Sequence, residues 1–167
     1  MLDQVLEVFE IQLDFDLDIM KHGQTLSDIT MRILEKLDML LKQERPDLLL
    51  VYGDTTTTFA SSFAAFYNHI AIGHVETGLR RYNKNSPYLE EMNRQMTGVL
   101  ADLNFASIDI SKQNLLSEGK KEEQIFVTGN TAIDALKTTI KSNYYHPLLK
   151  KIEGKRMILL TAHRREN

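Results

Sequence analysis

The run Leu48-Leu49-Leu50-Val51, closed by Tyr52-Gly53-Asp54, constrains the fold more than any other stretch of this chain. Four apolar residues without alternation are what a strand buried on both faces of a parallel sheet requires; a strand with one wet face would alternate. Comparable runs recur at residues 70–75, 103–106, 125–127 and 157–161, each read as a strand. The segments between them carry helical spacing. Leu26, Ile29, Ile33, Leu37 and Leu40 recur every three or four residues, in a helix entered through Thr25 or Ser27 and ending before Pro46. Phe59, Phe63, Phe66 and Tyr67 mark the next helix, and others are expected near residues 90–100, 111–118 and 132–141. Leu2, Val5, Leu6 and Phe9 predict a short first helix, and residues 14–19 a short strand or extended segment. Strands alternating with helices imply right-handed crossovers and an α/β, doubly wound parallel sheet.

The hydrophobic pattern lapses over the charged stretch before Met157, where Pro147 and Gly154 fall. The expected organisation is one domain over residues 1–142, a linker over 143–156, and the first strand of a second, truncated domain over 157–167. With 167 residues a chain can bury about two-thirds of its unfolded surface, enough for a real core. A net charge of −3 leaves no electrostatic footprint for nucleic acid. The absence of cysteine excludes disulfides, thiolate metal sites and cysteine nucleophiles, and fits a reducing compartment. No apolar run approaches the roughly 18 residues of a membrane span, and the N-terminus lacks the pattern of a signal peptide. A cytoplasmic location is expected, with no membrane and no nucleic-acid partner.

Ligands of open parallel sheets gather at the carboxyl ends of the strands. There the chain places Gly53-Asp54-Thr55-Thr56-Thr57-Thr58, His74-Val75-Glu76-Thr77-Gly78-Leu79-Arg80, Thr128-Gly129-Asn130-Thr131 and His163-Arg164-Arg165-Glu166-Asn167. Taken singly, each has a plain structural explanation. Asp54 can cap a helix, Glu76 can pair with Arg80 or Arg81, and His74 can be a hydrogen-bonded structural histidine. Glu90-Glu91 suits the first turn of a helix, and Asn130 a turn and cap. Together they outline an active-site rim.

In their order and spacing, Gly53–Thr58, His74–Arg80, the Ser-Pro-x-x-Glu-Glu-x-Asn-Arg motif at residues 86–94, Thr-Gly-Asn-Thr-x-Ile-Asp-Ala-Leu at 128–136 and His-Arg-Arg-Glu-Asn at 163–167 closely resemble the non-hydrolysing bacterial UDP-N-acetylglucosamine 2-epimerases. The resemblance covers essentially the whole chain. It implies a Rossmann-like domain, the N-terminal half of a type-B glycosyltransferase (GT-B) fold. It also implies that the family's opening strands and most of its C-terminal domain lie outside these residues, so that the 167 residues by themselves lack activity. The implied reaction interconverts UDP-N-acetylglucosamine and UDP-N-acetylmannosamine without a cofactor or metal, by elimination of UDP and its re-addition. Two protonation sites on opposite faces of C2 make several carboxylates necessary.

Matched onto this sequence, the family's catalytic groups are Asp54, Glu76, Glu90 and His163. Asp54 and Glu90 are the proton-transfer candidates, and His163 faces the diphosphate or leaving oxygen. Arg80, Asn93, Arg94, Asn130 and Arg164 are candidates for binding substrate or positioning the acids. The resemblance also implies homodimers of the full-length protein and a role in cell-surface polysaccharide synthesis. Two neighbouring readings are a hydrolysing epimerase or glycosyltransferase of the same fold, and a non-catalytic remnant that binds nucleotide sugar weakly. The chain departs from the family pattern at Thr77, which replaces alanine, at Tyr82, which replaces a glycine, and at Leu89, which replaces a proline. Glycine tolerates a positive φ that strains tyrosine, so the loop after Arg80 is where conformation is expected to differ.

Overall fold

The structure, a computed structural model, describes residues 2–85 and 88–160. Those residues divide into two compact units, 1–132 and 133–167. The first holds α1 (Leu2–Val8), α2 (Leu26–Glu44), β1 (Leu48–Tyr52), α3 (Thr56–Tyr67), β2 (Ala71–Thr77), α4 (Glu90–Leu100), β3 (Leu103–Ala106), α5 (Asp109–Ser117) and β4 (Ile125–Val127). Helix α6 (Thr131–Thr139) begins at its end, and α7 (Pro147–Lys151) belongs to the second unit.

The four strands pair in parallel in the order β1-β2-β3-β4, with Val51 beside His74 and His74 beside Asn104. The alternation read from the sequence is therefore a parallel α/β sheet, stepping in one direction through successive crossovers. Thr25 starts α2 through a reciprocal cap: its hydroxyl accepts from the Asp28 N–H and the Asp28 carboxylate accepts from the Thr25 N–H. Such a cap is worth about 1 kcal/mol. At the other end Arg45, with φ 45°, turns the chain toward Pro46. Ile33, Leu37 and Leu41 of α2 meet Ala60, Ala64 and Ala65 of α3 above Val51 and Ile72. The alanines let α3 approach closely, and a fully buried isoleucine such as Ile33 or Ile72 contributes about 1.5–3 kcal/mol. A smaller cluster of Ala106, Leu115 and Ile125 seats α5 on β3 and β4.

Two expectations change. β1 is buried on one face only: Val51 is in the core, whereas Leu50 is 58% exposed, and Leu48 and Tyr52 are exposed beside it. Among the described residues no second layer covers that face. Gly73 has a local purpose there. A Cβ on it would lie 2.6 Å from Leu50 Cδ2 and 3.2 Å from the Phe105 ring, so glycine lets both side chains close over β2. Phe105 in turn stacks on Phe126 at 5.7 Å. The apolar run also remains unalternated without a second cover, because the sequence records what a strand can tolerate on both faces and not what lies there.

The second difference is the run beginning at Met157. Met157 to Leu160 are irregular and highly exposed, since among the described residues they have no neighbouring strand to complete their hydrogen bonds. Thr161 lies outside the described residues. The stretch expected as a linker contains α7, opened by Pro147 and capped by His146, whose Nδ1 accepts from the Leu148 N–H at 3.2 Å. Residues 14–19 form no strand, the extended alternative of their reading.

Candidate active site at the carboxyl rim

β1 ends in a turn at Gly53, whose φ of 72° only glycine adopts without strain. The Gly53 N–H donates to the Val75 carbonyl, so the turn stays beside β2. Thr55 then caps α3, accepting from the Thr58 N–H, and the Thr58 hydroxyl donates back to the Tyr52 carbonyl at 2.6 Å. The helix cap anticipated at Asp54 falls on Thr55, which leaves the Asp54 carboxylate free for another purpose. Arg94 of α4 forms a charge-assisted bond to Asp54 Oδ2, and Asn93 Nδ2 donates to the Asp54 carbonyl at 3.0 Å. Two adjacent residues of one helix thus hold the side chain and the backbone of Asp54.

Glu76 lies at the neighbouring strand end. Its φ is 63°, unusual for a residue with a side chain, and the β2–β3 register shifts between Val75 and Thr77. Such a bulge re-aims a side chain and concentrates where function tolerates strain. Here it brings Glu76 over the β1 turn: a Cβ on Gly53 would sit 3.7 Å from Glu76 Oε2. Among the described residues Glu76 takes part in no ion pair, so its expected pairing with Arg80 or Arg81 is not made. Arg80 instead forms a two-pronged bridge to Glu118, at 2.6 and 2.8 Å. Its guanidinium is fully buried and serves as part of the frame.

Glu90 is the first residue of α4 and exposed. It lies three and four residues before Asn93 and Arg94, hence on the same helical face as the two side chains that grip Asp54. The preceding Leu89 has φ 79°, a conformation closed to the proline of the family pattern. Tyr82 has φ 54°, the positive value expected where glycine is usual. Asn130 is exposed, and its Oδ1 accepts from the Ala132 N–H, the capping role anticipated for it. His163 and Arg164 lie outside the described residues.

Three residues outside the predicted site organise this rim: His74, a hydrogen-bonded structural histidine as its sequence context suggested, Glu91, in the first helical turn as expected but sealed inside, and Glu118, which the sequence did not single out. His74 is completely buried, and its Nε2 lies 2.7 Å from the Gly53 carbonyl oxygen. Burial, followed by the nearby charges of Arg80, Arg94 and Lys120, outweighs that bond and lowers its pKa to about 4. Glu91 is also completely buried and accepts from the Arg81 and Tyr82 N–H groups and from Gln95 Nε2. Burial works to raise its pKa, but these three donors and the charge of Arg80 prevail and hold it below the ordinary value. The third residue is Glu118, the partner of Arg80. Glu91 sits seven residues before the buried Gly98, a helical spacing visible in the sequence; the pairing of Arg80 with Glu118, 38 residues apart, left no local signal.

Gly78 closes the frame. Its φ is 81°, Asn114 Nδ2 donates to its carbonyl, and a Cβ there would come within 2.3 Å of the Ser111 carbonyl oxygen. Backbone cannot yield as a side chain does. Gly78→Ala is expected to destabilise the protein by about 2–4 kcal/mol, from overpacking and a left-handed alanine together. A urea midpoint unchanged from the parent would show that the β2–α5 contact opens freely.

The parallel Rossmann-like sheet with its crossover helices gives the class: the N-terminal half of a type-B glycosyltransferase fold. The family model described as UDP-N-acetylglucosamine 2-epimerase matches residues 1–167. The UDP-N-acetylglucosamine 2-epimerase of Bacillus subtilis (strain 168) is 62% identical over 167 residues, covering 100% of this chain and 44% of that protein. The S. aureus MnaA–UDP co-structure superposes with a TM-score of 0.93 at 55% identity, covering 99% of this chain and 44% of that one. The Neisseria meningitidis UDP-GlcNAc 2-epimerase bound to UDP-GlcNAc gives 0.79 at 55% identity, over 82% and 37%. The chain belongs to the UDP-N-acetylglucosamine 2-epimerase family, and it spans less than half the length of these relatives.

Proposed function

We propose that the full-length protein carrying these residues is a cytoplasmic, non-hydrolysing UDP-N-acetylglucosamine 2-epimerase serving cell-surface polysaccharide synthesis. The observation that carries this reading is the Asp54 carboxylate, gripped by Arg94 and Asn93 with Glu76 leaning over the same turn. In the proposed reaction a carboxylate removes the proton from C2 while the C1–O bond breaks and UDP leaves with the bonding electrons. The resulting 2-acetamidoglucal is then protonated at C2 from its other face as UDP re-forms the bond at C1. Asp54 and Glu90 are the proton-transfer groups, and Glu76 supports one of them or the sugar. His163, Asn130 and Arg164 act on the nucleotide side, and Arg80 shapes the rim through Glu118. No cofactor or metal takes part. Relatives solved with UDP or UDP-GlcNAc support the substrate class.

Residues 143–156 are proposed to join this domain to a second one beginning at Met157. A homodimer is proposed as well, consistent with the exposed aromatic stripe of α3, where Phe66 and Tyr67 lie outward.

Product analysis of the full-length enzyme with UDP-N-acetylglucosamine in D2O tests this reading. The expected product is intact UDP-N-acetylmannosamine with deuterium at C2, and no turnover by the 167 residues alone. Free N-acetylmannosamine with UDP would indicate a hydrolysing epimerase, transfer to an acceptor would indicate a glycosyltransferase, and binding without turnover a remnant.

A further inference from the structure

We infer that His74 is a positioning residue for Asp54, acting as an Nε2–H donor to the Gly53 carbonyl. The inference rests on the proposed role of Asp54. A carbonyl oxygen can only accept, so the 2.7 Å contact requires the proton on Nε2. Nδ1 is then an acceptor, and it is buried without a partner among the described residues. Asn104, its register neighbour on β3, is also fully buried, and its Nδ2 likewise lacks a partner among the described residues. A ring so enclosed cannot swing toward solvent, and burial disfavours its charged form.

The purpose of this arrangement follows from what the bond holds. Gly53 has a positive φ, and among the described residues nothing else fixes its carbonyl: its N–H is tied to Val75, and the following carbonyl, of Asp54, to Asn93. The Arg94 bond completes the set at the carboxylate. Three side chains from two elements thus fix three consecutive groups around one acid. If His74 lets go, the Gly53–Asp54 peptide plane is free to rotate, and the carboxylate moves with it. A displacement near 1 Å at a reacting group lowers turnover by about 10²-fold.

Glutamine and methionine have equal length, and the glutamine amide nitrogen falls where Nε2 stands. In the full-length enzyme His74→Gln is expected to keep kcat within about fivefold of the parent, and His74→Met to lose about 10- to 100-fold with KM within about threefold. Equal kcat for the two variants would overturn the inference, because filling the space would then be enough. Nitrogen-15 NMR of the parent's His74 ring gives a reading independent of variant folding: the Nε2–H tautomer supports the inference, and Nδ1–H overturns it. Asp54→Asn with turnover intact would sink the role of Asp54 instead, whatever the tautomer.

Discussion

Asp54→Asn in a full-length enzyme carrying this segment is expected to lower kcat by about 10²–10⁴-fold, the range a positioned proton-transfer group supplies. The substitution is nearly isosteric. Its amide oxygen still accepts from Arg94, and the backbone carbonyl still accepts from Asn93, so the turn and α4 remain docked. What disappears is the capacity to take up a proton, and that isolates chemistry from architecture. KM is therefore expected to change little, and exchange of the C2 hydrogen with D2O to fall in step with turnover. A kcat within about tenfold of the parent would remove Asp54 from the proton-transfer role and move the search to Glu76 and Glu90. Loss of exchange without loss of turnover cannot occur in this mechanism, so measuring both separates a failed assignment from a failed mechanism.

The parts of this site that were legible in the sequence are those fixed by local rules. Thr25 or Ser27 ahead of the periodic run announces the start of α2, and the run at Leu48 announces a strand of a parallel sheet whose far end carries Gly53 and Asp54. The spacing of Glu90, Asn93 and Arg94 puts them on one helical face before any coordinate is known. What escaped is set by tertiary contact. Nothing local says that Glu76 takes a positive φ at a bulge, since a glutamate is among the residues least expected there. The Glu90-Glu91 pair illustrates the same limit: the residue matched to catalysis is exposed, while its neighbour is sealed inside, answering backbone donors at Arg81 and Tyr82. The loop those donors belong to carries two of the chain's three departures from the family pattern, Tyr82 and Leu89, both at positive φ. Glu91 thus stabilises a conformation that Tyr82 strains.

Acidification is expected to weaken the fold in two stages. His74 has an ordinary pKa of 6.5 that burial lowers to about 4. Between those values the unfolded chain binds a proton that the folded one refuses, so stability rises with pH there. The contribution is complete above about pH 6.5 and lost as the pH falls toward 4; the full displacement corresponds to on the order of 3 kcal/mol. Glu91 acts at lower pH. Its folded pKa lies below the ordinary 4.5, so its stabilisation is present above 4.5 and disappears as the pH drops through the folded value. Urea midpoints of the protein at pH 7.5, 6.0, 5.0, 4.5 and 3.5 should therefore begin to decline before most carboxylates titrate and fall further below 4.5. His74→Gln, which cannot charge, should flatten the curve between 6.5 and 4.5 and leave the steeper fall beneath it. Glu91→Gln should do the reverse: it keeps the upper limb but starts from lower stability at neutral pH, because an amide nitrogen set against the Arg81 or Tyr82 N–H cannot accept its hydrogen bond. Parallel curves for His74→Gln and the parent would mean that the imidazole charges in the folded protein. That requires water at Nδ1, and with it a β1–β2 rim far more open than the enclosure of His74 allows.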